Sequence, residues 1–164
     1  MKLSVIDIVE GTSVDGPGLR TSIYFAGCTH HCEGCHNQQS WDISVGKPTE
    51  IDELMRIIEE NDFNVTFSGG DPFFQCDGVA ELAERVHKEL GKTVWCYTGY
   101  LWENIVDNPK FANLLGNIDV LVDGRFVLAQ RDTSLRFKGS ANQRIIDVAE
   151  SIRRGEVVLW KPNM

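Results

Sequence analysis

Three cysteines crowd into eight residues of this chain: Cys28, Cys32 and Cys35, spaced C-x3-C-x2-C within Gly27-Cys28-Thr29-His30-His31-Cys32-Glu33-Gly34-Cys35-His36-Asn37. Thiolates at that spacing converge from one tight loop, which is how soft metals and Fe–S clusters are gripped. Fe–S clusters are normally held by four cysteine thiolates, and no fourth cysteine stands nearby. The motif therefore predicts a cubane with one iron left open to another ligand. Structural zinc is the competing chemistry. It prefers four tetrahedral ligands, and His30, His31 or His36 could complete such a set. The usual zinc pattern pairs two knuckles separated by more chain, and no second Cys or His pair follows here, so the spacing favours Fe–S.

A second signal is Ser68-Gly69-Gly70-Asp71-Pro72. Glycines after a buried strand let backbone N–H and C=O groups approach a ligand closely, and Pro72 stiffens the exit. Alone, the same residues describe an ordinary turn; one strand after a three-cysteine loop, they mark a site. Cys76 and Cys96 stand apart in apolar or loop contexts and read as small buried hydrophobes. Among Trp41, Trp95, Trp102 and Trp160, alternation in its strand assigns Trp95 to the core. Arg125, Arg136 and Lys138 are candidates for partner or ligand contact, with a solvated surface as the plainer reading. Asp15 and Arg20 could pair locally across the turn that precedes the cysteine strand.

The elements that must position these residues alternate between strand-like and helix-like, the pattern of an α/β fold with a mainly parallel sheet. Arg20 to Ala26 reads as a strand running into the cysteine loop. A helix opens at Thr49-Glu50-Ile51-Asp52, with Thr49 as its cap and Ile51, Leu54, Met55 and Ile58 on one face. Asn64 to Phe67 is the next strand, ending at Ser68-Gly69-Gly70-Asp71. Asp77 caps a helix whose stripe is Val79, Leu82, Ala83, Val86 and Leu90, stopped by Gly91. Strands follow at Thr93 to Tyr97 and Ile118 to Val122, with short helices at Leu101 to Val106 and Lys110 to Leu115 between them. Arg144 to Val148 and Val157 to Trp160 complete the strand set. The cysteine loop, Ser68-Gly69-Gly70-Asp71, Thr98-Gly99 and Asp123-Gly124 all follow strand ends. In parallel α/β sheets and barrels that edge collects ligands and chemistry.

Composition sets the outer limits. The chain has 164 residues, 42% hydrophobic and 24% charged, as expected of one soluble domain spanning 1–164. No apolar run reaches the ~20 residues needed to cross a bilayer, and the N-terminus lacks a signal-peptide pattern, so a cytoplasmic protein with no membrane association is expected. The formal charge of -8 disfavours nucleic-acid binding, which needs Lys and Arg to neutralise phosphates. Five cysteines make an odd number for a disulfide framework, and reduced thiols used for metal fit better.

Taken together, Cys28-x3-Cys32-x2-Cys35 after one strand and Gly-Gly-Asp-Pro after the next resemble the radical S-adenosylmethionine superfamily. Asp15-Gly16-Pro17-Gly18-Leu19-Arg20-Thr21 is similar to the activating enzymes of glycyl-radical enzymes. Gly34-Cys35-His36-Asn37, Tyr97-Thr98-Gly99-Tyr100, Val122-Asp123-Gly124-Arg125-Phe126 and Phe137-Lys138-Gly139-Ser140-Ala141-Asn142-Gln143-Arg144 extend the resemblance over nearly the whole chain. They point to the branch that activates anaerobic ribonucleoside-triphosphate reductase.

The resemblance implies an incomplete TIM-like barrel of parallel strands with outer helices. It implies one 4Fe–4S cluster held by Cys28, Cys32 and Cys35, whose fourth iron is chelated by S-adenosylmethionine. Ser68, Gly69, Gly70 and Asp71 would receive the methionine ammonium, an end that suits an acidic side chain and backbone carbonyls, with Thr98 beside them. Gly34, Cys35 and His36 would lie along the adenine. Two positions depart from the usual pattern. Gly34 stands where an aromatic residue often precedes the third cysteine, which sends the adenine elsewhere, with His36 as a candidate; Asp71 replaces the more usual Glu.

The implied activity is reductive cleavage of S-adenosylmethionine to methionine and a 5'-deoxyadenosyl radical, fed by a low-potential electron donor. That radical would then generate a glycyl radical on the reductase large subunit. Alternatives are a pyruvate formate-lyase-type activase, a small-molecule radical enzyme of the deazaguanine-synthase type, and a non-enzymatic metal-binding or electron-transfer module.

Overall fold

The computed structural model describes residues 1–28, 30, 32, 34 and 41–162. Cys35 and His36 lie outside the described residues. Among the described residues, seven strands form one sheet in the order β3-β1-β2-β4-β5-β6-β7: β1 Lys2–Thr12, β2 Arg20–Phe25, β3 Lys47–Glu50, β4 Asn64–Gly69, β5 Val94–Tyr97, β6 Val120–Asp123 and β7 Arg144–Asp147. The helices are α1 Ile51–Asn61, α2 Cys76–Arg85, α3 Trp102–Val106, α4 Ala112–Leu115 and α5 Val148–Arg154. No helix among the described residues is long and apolar enough to cross a membrane.

The expected parallel sheet is present only at the centre. β2, β4, β5 and β6 run parallel, while β1 pairs antiparallel with β2, β3 with β1, and β7 with β6. The parallel strands are joined through helices, whereas β7 returns alongside β6 and needs no crossover. The sequence reading misses β1 and β3. In β3, Pro48 lacks a ladder donor, and such a strand survives at a sheet edge, where it lies here.

Three local expectations are corrected. Thr49 is not the cap of α1: Glu50 holds that position, and the Thr49 hydroxyl donates to the Lys47 carbonyl at 3.0 Å. Asp77 lies in the first turn of α2 rather than capping it. The chain has already turned at a 3-10 segment, Pro72–Gln75, capped by Asp71. Val157 to Trp160 makes an isolated bridge, Ile146 with Leu159, instead of a strand, held by Asp147 N–H to Val158 O and Trp160 N–H to Ile145 O, both 2.8 Å.

Alternation along each central strand sends one set of side chains toward the helices. Ile23, Phe25, Val65, Phe67, Val94, Cys96 and Leu121 join Leu54, Ile58, Val79, Leu82 and Ile105 in the hydrophobic core. Each such aliphatic or aromatic side chain contributes roughly 1.5–3 kcal/mol on burial. The opposite face is more polar. There Arg20 is buried; its Nε donates to Thr66 Oγ1 at 2.9 Å, Nη2 to Val65 O at 2.9 Å and Nη1 to Pro17 O at 3.1 Å. Burial lowers its pKa to about 10. Trp95 is buried as expected, but outside the apolar cluster, with the Arg20 guanidinium 5.8 Å from its ring centroid. Arg20 therefore ties the turn before β2 to β4 through carbonyls and a hydroxyl, and Asp15 instead accepts from Tyr24.

Candidate metal and cofactor site

Because β2, β4, β5 and β6 are parallel, their carboxyl ends open on one rim. Cys28, Ser68, Gly69, Gly70, Thr98, Gly99 and Gly124 meet there around a cavity of about 110 Å³ that Cys32 and His30 also line. The four rim loops thus converge as their positions after strand ends imply.

Cys28 leaves β2 buried, and Cys32 is half-buried. The Cys28 N–H donates to Trp41 O at 3.1 Å, closing the base of the cysteine loop. The donor chemistry fits an Fe–S cluster: two soft sulfur ligands face one glycine-walled cavity, and the third position of the motif, Cys35, belongs to the same loop in sequence. His30 enters the site differently. Its Nε2 is 2.7 Å from Asp71 Oδ2, while its Nδ1 is buried with no hydrogen-bond partner among the described residues.

Asp71 is 1% exposed and absorbs donors from three rim loops. Its Oδ1 accepts from Phe73 N–H at 2.9 Å and from the Thr98 hydroxyl at 3.0 Å. Its Oδ2 lies 2.9 Å from the same hydroxyl and accepts from Gly99 N–H at 3.0 Å. A carboxylate offers about four lone-pair sites, and these contacts with His30 use them. Asp71 lies behind the cavity wall, which Ser68, Gly69, Gly70 and Thr98 face directly.

Backbone contacts make that wall close-fitting. Gly70 N–H donates to Phe25 O and Asp71 N–H to Gly27 O, both at 2.8 Å. Gly69 has φ +102, and a Cβ there would lie 2.4 Å from both the N and the O of Phe25. Only glycine tolerates this conformation and this approach of β2 to β4.

Four cavity residues receive no site role in the sequence reading: Trp41, Tyr97, Phe126 and Gln143, the last three standing inside segments it quotes as motifs. Gln143 is central to the far wall. Its Oε1 accepts from Gly139 N–H at 2.9 Å and Ser140 N–H at 3.2 Å, and its Nε2 donates to Gly124 O at 3.0 Å. The Asp-Gly-Arg-Phe and Lys-Gly-Ser-Ala-Asn-Gln segments, singled out as motifs, are therefore knitted to each other beside the cavity. Lys138 donates to Gln143 O at 3.0 Å. An adjoining groove of about 420 Å³ shares Ser68, Tyr97, Phe126 and Gln143 with the cavity and continues past Asp15, Arg131, Phe137 and Lys138. Tyr97 donates to Phe137 O at 2.7 Å between the two spaces. Arg125 and Arg136 are exposed, with Arg136 over the Phe137 ring at 4.6 Å.

Comparison with known proteins agrees with this arrangement. Residues 14–146 match the family model of a 4Fe-4S single cluster domain. The chain is 39% identical over 141 residues to the anaerobic ribonucleoside-triphosphate reductase-activating protein of Vibrio cholerae, covering 80% of this chain and 90% of that protein. It is 38% identical over 143 residues to the protein of the same name from Haemophilus influenzae, with 80% and 90% covered. With that of Escherichia coli strain K12 it shares 36% over 139 residues, 79% and 89% covered. A thiol-lined, glycine-walled rim cavity together with relatives at this identity over most of both chains places the protein in the family of anaerobic ribonucleoside-triphosphate reductase-activating proteins.

Proposed function

We propose that this protein activates anaerobic ribonucleoside-triphosphate reductase by generating a glycyl radical on its large subunit. Cys28, Cys32 and Cys35 hold one 4Fe–4S cluster; Ser68, Gly69, Gly70 and Thr98 seat the methionine end of S-adenosylmethionine, with Gly34, Cys35 and His36 toward its adenine. When bound, these groups supply one-electron cleavage of the sulfonium C–S bond and removal of a hydrogen atom from a glycine Cα, the electron coming from a low-potential donor. The observation that carries the reading is the meeting of Cys28 and Cys32 with Ser68, Gly69, Gly70 and Thr98 on one cavity at the carboxyl rim.

The chain's own residues bind and orient. Backbone carbonyls of the Gly69-Gly70 wall suit an ammonium group, and the Asp71 charge behind Thr98 and Gly99 favours a cation there. Asp71 acts mainly by holding its neighbours in place. The groove past Asp15, Phe137 and Lys138 gives a glycine-bearing loop of the reductase a route to the cavity. Water is kept out by Tyr97, Phe126 and Trp41 along its walls, and the radical chemistry itself belongs to the cofactors. In this reading residues 1–164 act as one domain in the cytoplasm, and the parallel quartet β2-β4-β5-β6 is the core of a partial barrel.

Anaerobic mixing of the reconstituted protein with the reductase, S-adenosylmethionine and a low-potential reductant tests this. A glycyl doublet in the EPR spectrum is expected, and Cys32→Ala should abolish both the doublet and 5'-deoxyadenosine formation. Undiminished 5'-deoxyadenosine from Cys32→Ala would overturn the ligand assignment. A doublet arising only on a pyruvate formate-lyase-type partner would overturn the choice of reductase.

A further inference from the structure

Gly34 immediately precedes the third cysteine, and its backbone has φ +76. A Cβ at this position would lie 2.8 Å from Leu128 Cδ1 and 3.3 Å from Phe126 Cε1. Across the ring, a Cβ at Gly139 would lie 3.1 Å from Phe126 Cδ2 and 3.3 Å from Cε2. The Phe126 ring is thus clasped between a glycine of the cysteine loop and a glycine of the Lys-Gly-Ser-Ala-Asn-Gln segment. The backbone on both sides of it is fixed as well. Gln143 Nε2 donates to Gly124 O at 3.0 Å, Asn142 Nδ2 to Arg125 O at 2.8 Å, and Val127 N–H to Ser140 Oγ at 3.2 Å. Phe126 lines the same cavity as Cys28, Cys32 and Ser68-Gly69-Gly70.

Resting on S-adenosylmethionine as the cofactor of this site, we propose that Phe126 supplies the aromatic face for its adenine, taking over from the side chain that Gly34 lacks. A purine presents flat apolar faces and polar edges, and it gains most from a ring whose position is set before binding. Three features suit Phe126 to this. Its ring stands beside the residue next to the third cysteine, its position is set by neighbours on two loops, and it reaches the cavity. Two other rings of the cavity have partners of their own. Tyr97 donates to Phe137 O, and His30 is bonded to Asp71 and set edge-on to Tyr100 at 4.6 Å. Gly34 and Gly139 are small, on this view, because they make room for Phe126.

The test is calorimetric binding to reconstituted protein with its cluster oxidised, so that no turnover occurs. Phe126→Ala should weaken S-adenosylmethionine binding by about tenfold or more, the scale of a lost base–aromatic stack. Phe126→Leu should weaken it less, and Phe126→Tyr should leave it near the original. The affinity for 5'-deoxyadenosine should fall by the same factor while that for methionine holds, with iron content unchanged. Unchanged S-adenosylmethionine affinity in Phe126→Ala, as would follow if His36 alone carried the adenine, overturns the proposal, as does equal weakening of methionine. Should Phe126→Ala fail to hold its cluster, the Leu and Tyr variants decide, because equal affinity in those two removes the need for an aromatic ring. Original protein with a full cluster and no affinity for S-adenosylmethionine would instead overturn the cofactor reading itself.

Discussion

The Nε2 of His30 and the Oδ2 of Asp71 stand 2.7 Å apart with both side chains buried. His30 lies between the first two cysteines, and Asp71 closes the glycine loop after β4, so one contact fastens the cysteine loop to the wall that faces it. Because Asp71 also accepts from Phe73, Thr98 and Gly99, a single carboxylate sets the relative positions of three rim loops.

Removing that carboxylate strands several buried donors at once. Asp71→Ala should lower the unfolding free energy of the cluster-free protein by about 2–4 kcal/mol, since each unsatisfied buried donor costs about 1–3 kcal/mol. His30→Ala should cost less, because it removes one donor and leaves the others served. Urea titrations of the two variants measure the difference, and Asp71→Ala unfolding at the original midpoint would refute the anchoring role. Asp71→Asn keeps the shape but loses the charge, so its S-adenosylmethionine affinity should fall by about tenfold if the charge contributes about 1.4 kcal/mol. Calorimetry showing equal affinity would remove the charge from the binding account.

At Gly69, paired with Phe25, β4 lies against the β2 backbone. A side chain there meets positive φ and two backbone atoms at 2.4 Å, none of which can swing aside. Gly69→Ala should destabilise the protein by more than about 2 kcal/mol and widen the cavity that Cys28 shares with Ser68 and Gly70. The readouts are the urea midpoint and the iron bound after reconstitution; a variant matching the original in both would contradict the close-approach argument.

Protons held by the fold predict alkaline sensitivity. Burial pushes the Cys96 thiol well above its ordinary 9.0, with the Asp71 charge adding to it, and burial likewise raises Cys76. The Tyr24 and Tyr97 hydroxyls are raised by burial first, Tyr24 also by its hydrogen bond to Asp15. The folded state therefore keeps protons that the unfolded chain releases. This stabilisation is complete below the ordinary thiol and phenol values and is lost as pH rises from them through the raised values of the folded state. The urea midpoint should hold steady from about pH 7 to 8 and fall above about pH 9, and Cys96→Ala should flatten part of that slope. In cluster-free folded protein at about pH 8, iodoacetamide should modify half-exposed Cys32 before buried Cys28, with Cys76 and Cys96 reacting only on unfolding. Mass spectrometry finding Cys96 labelled early would contradict its burial.

The alternation of strands and helices, the core stripes of α1 and α2 and the placement of four loops on one rim were legible from local pattern. Each depends on residues a few positions apart, and glycine or cysteine after an apolar run is a local signal. Strands β1 and β3 were not legible, because their antiparallel places beside β2 and at the sheet edge are set by pairing partners and not by their own composition, and Pro48 in β3 argues against a strand until the edge position is known. Asp77 looked like a cap for the same reason. An acidic residue beside an apolar run satisfies the local rule, and the turn already capped by Asp71 shows only in three dimensions.

What the residue order determined by itself was the chemistry on offer, namely three thiols on one loop and a glycine wall one strand later, since ligand type and spacing are properties of the chain. What tertiary structure alone decided was which side chains attend that chemistry. Asp71 became an anchor instead of a wall residue because His30, Thr98 and Gly99 reached it from other loops, and Phe126 came to rest against Gly34 from the loop after β6. Contacts between residues dozens of positions apart are selected by the packing of the whole sheet, and no local pattern carries that information.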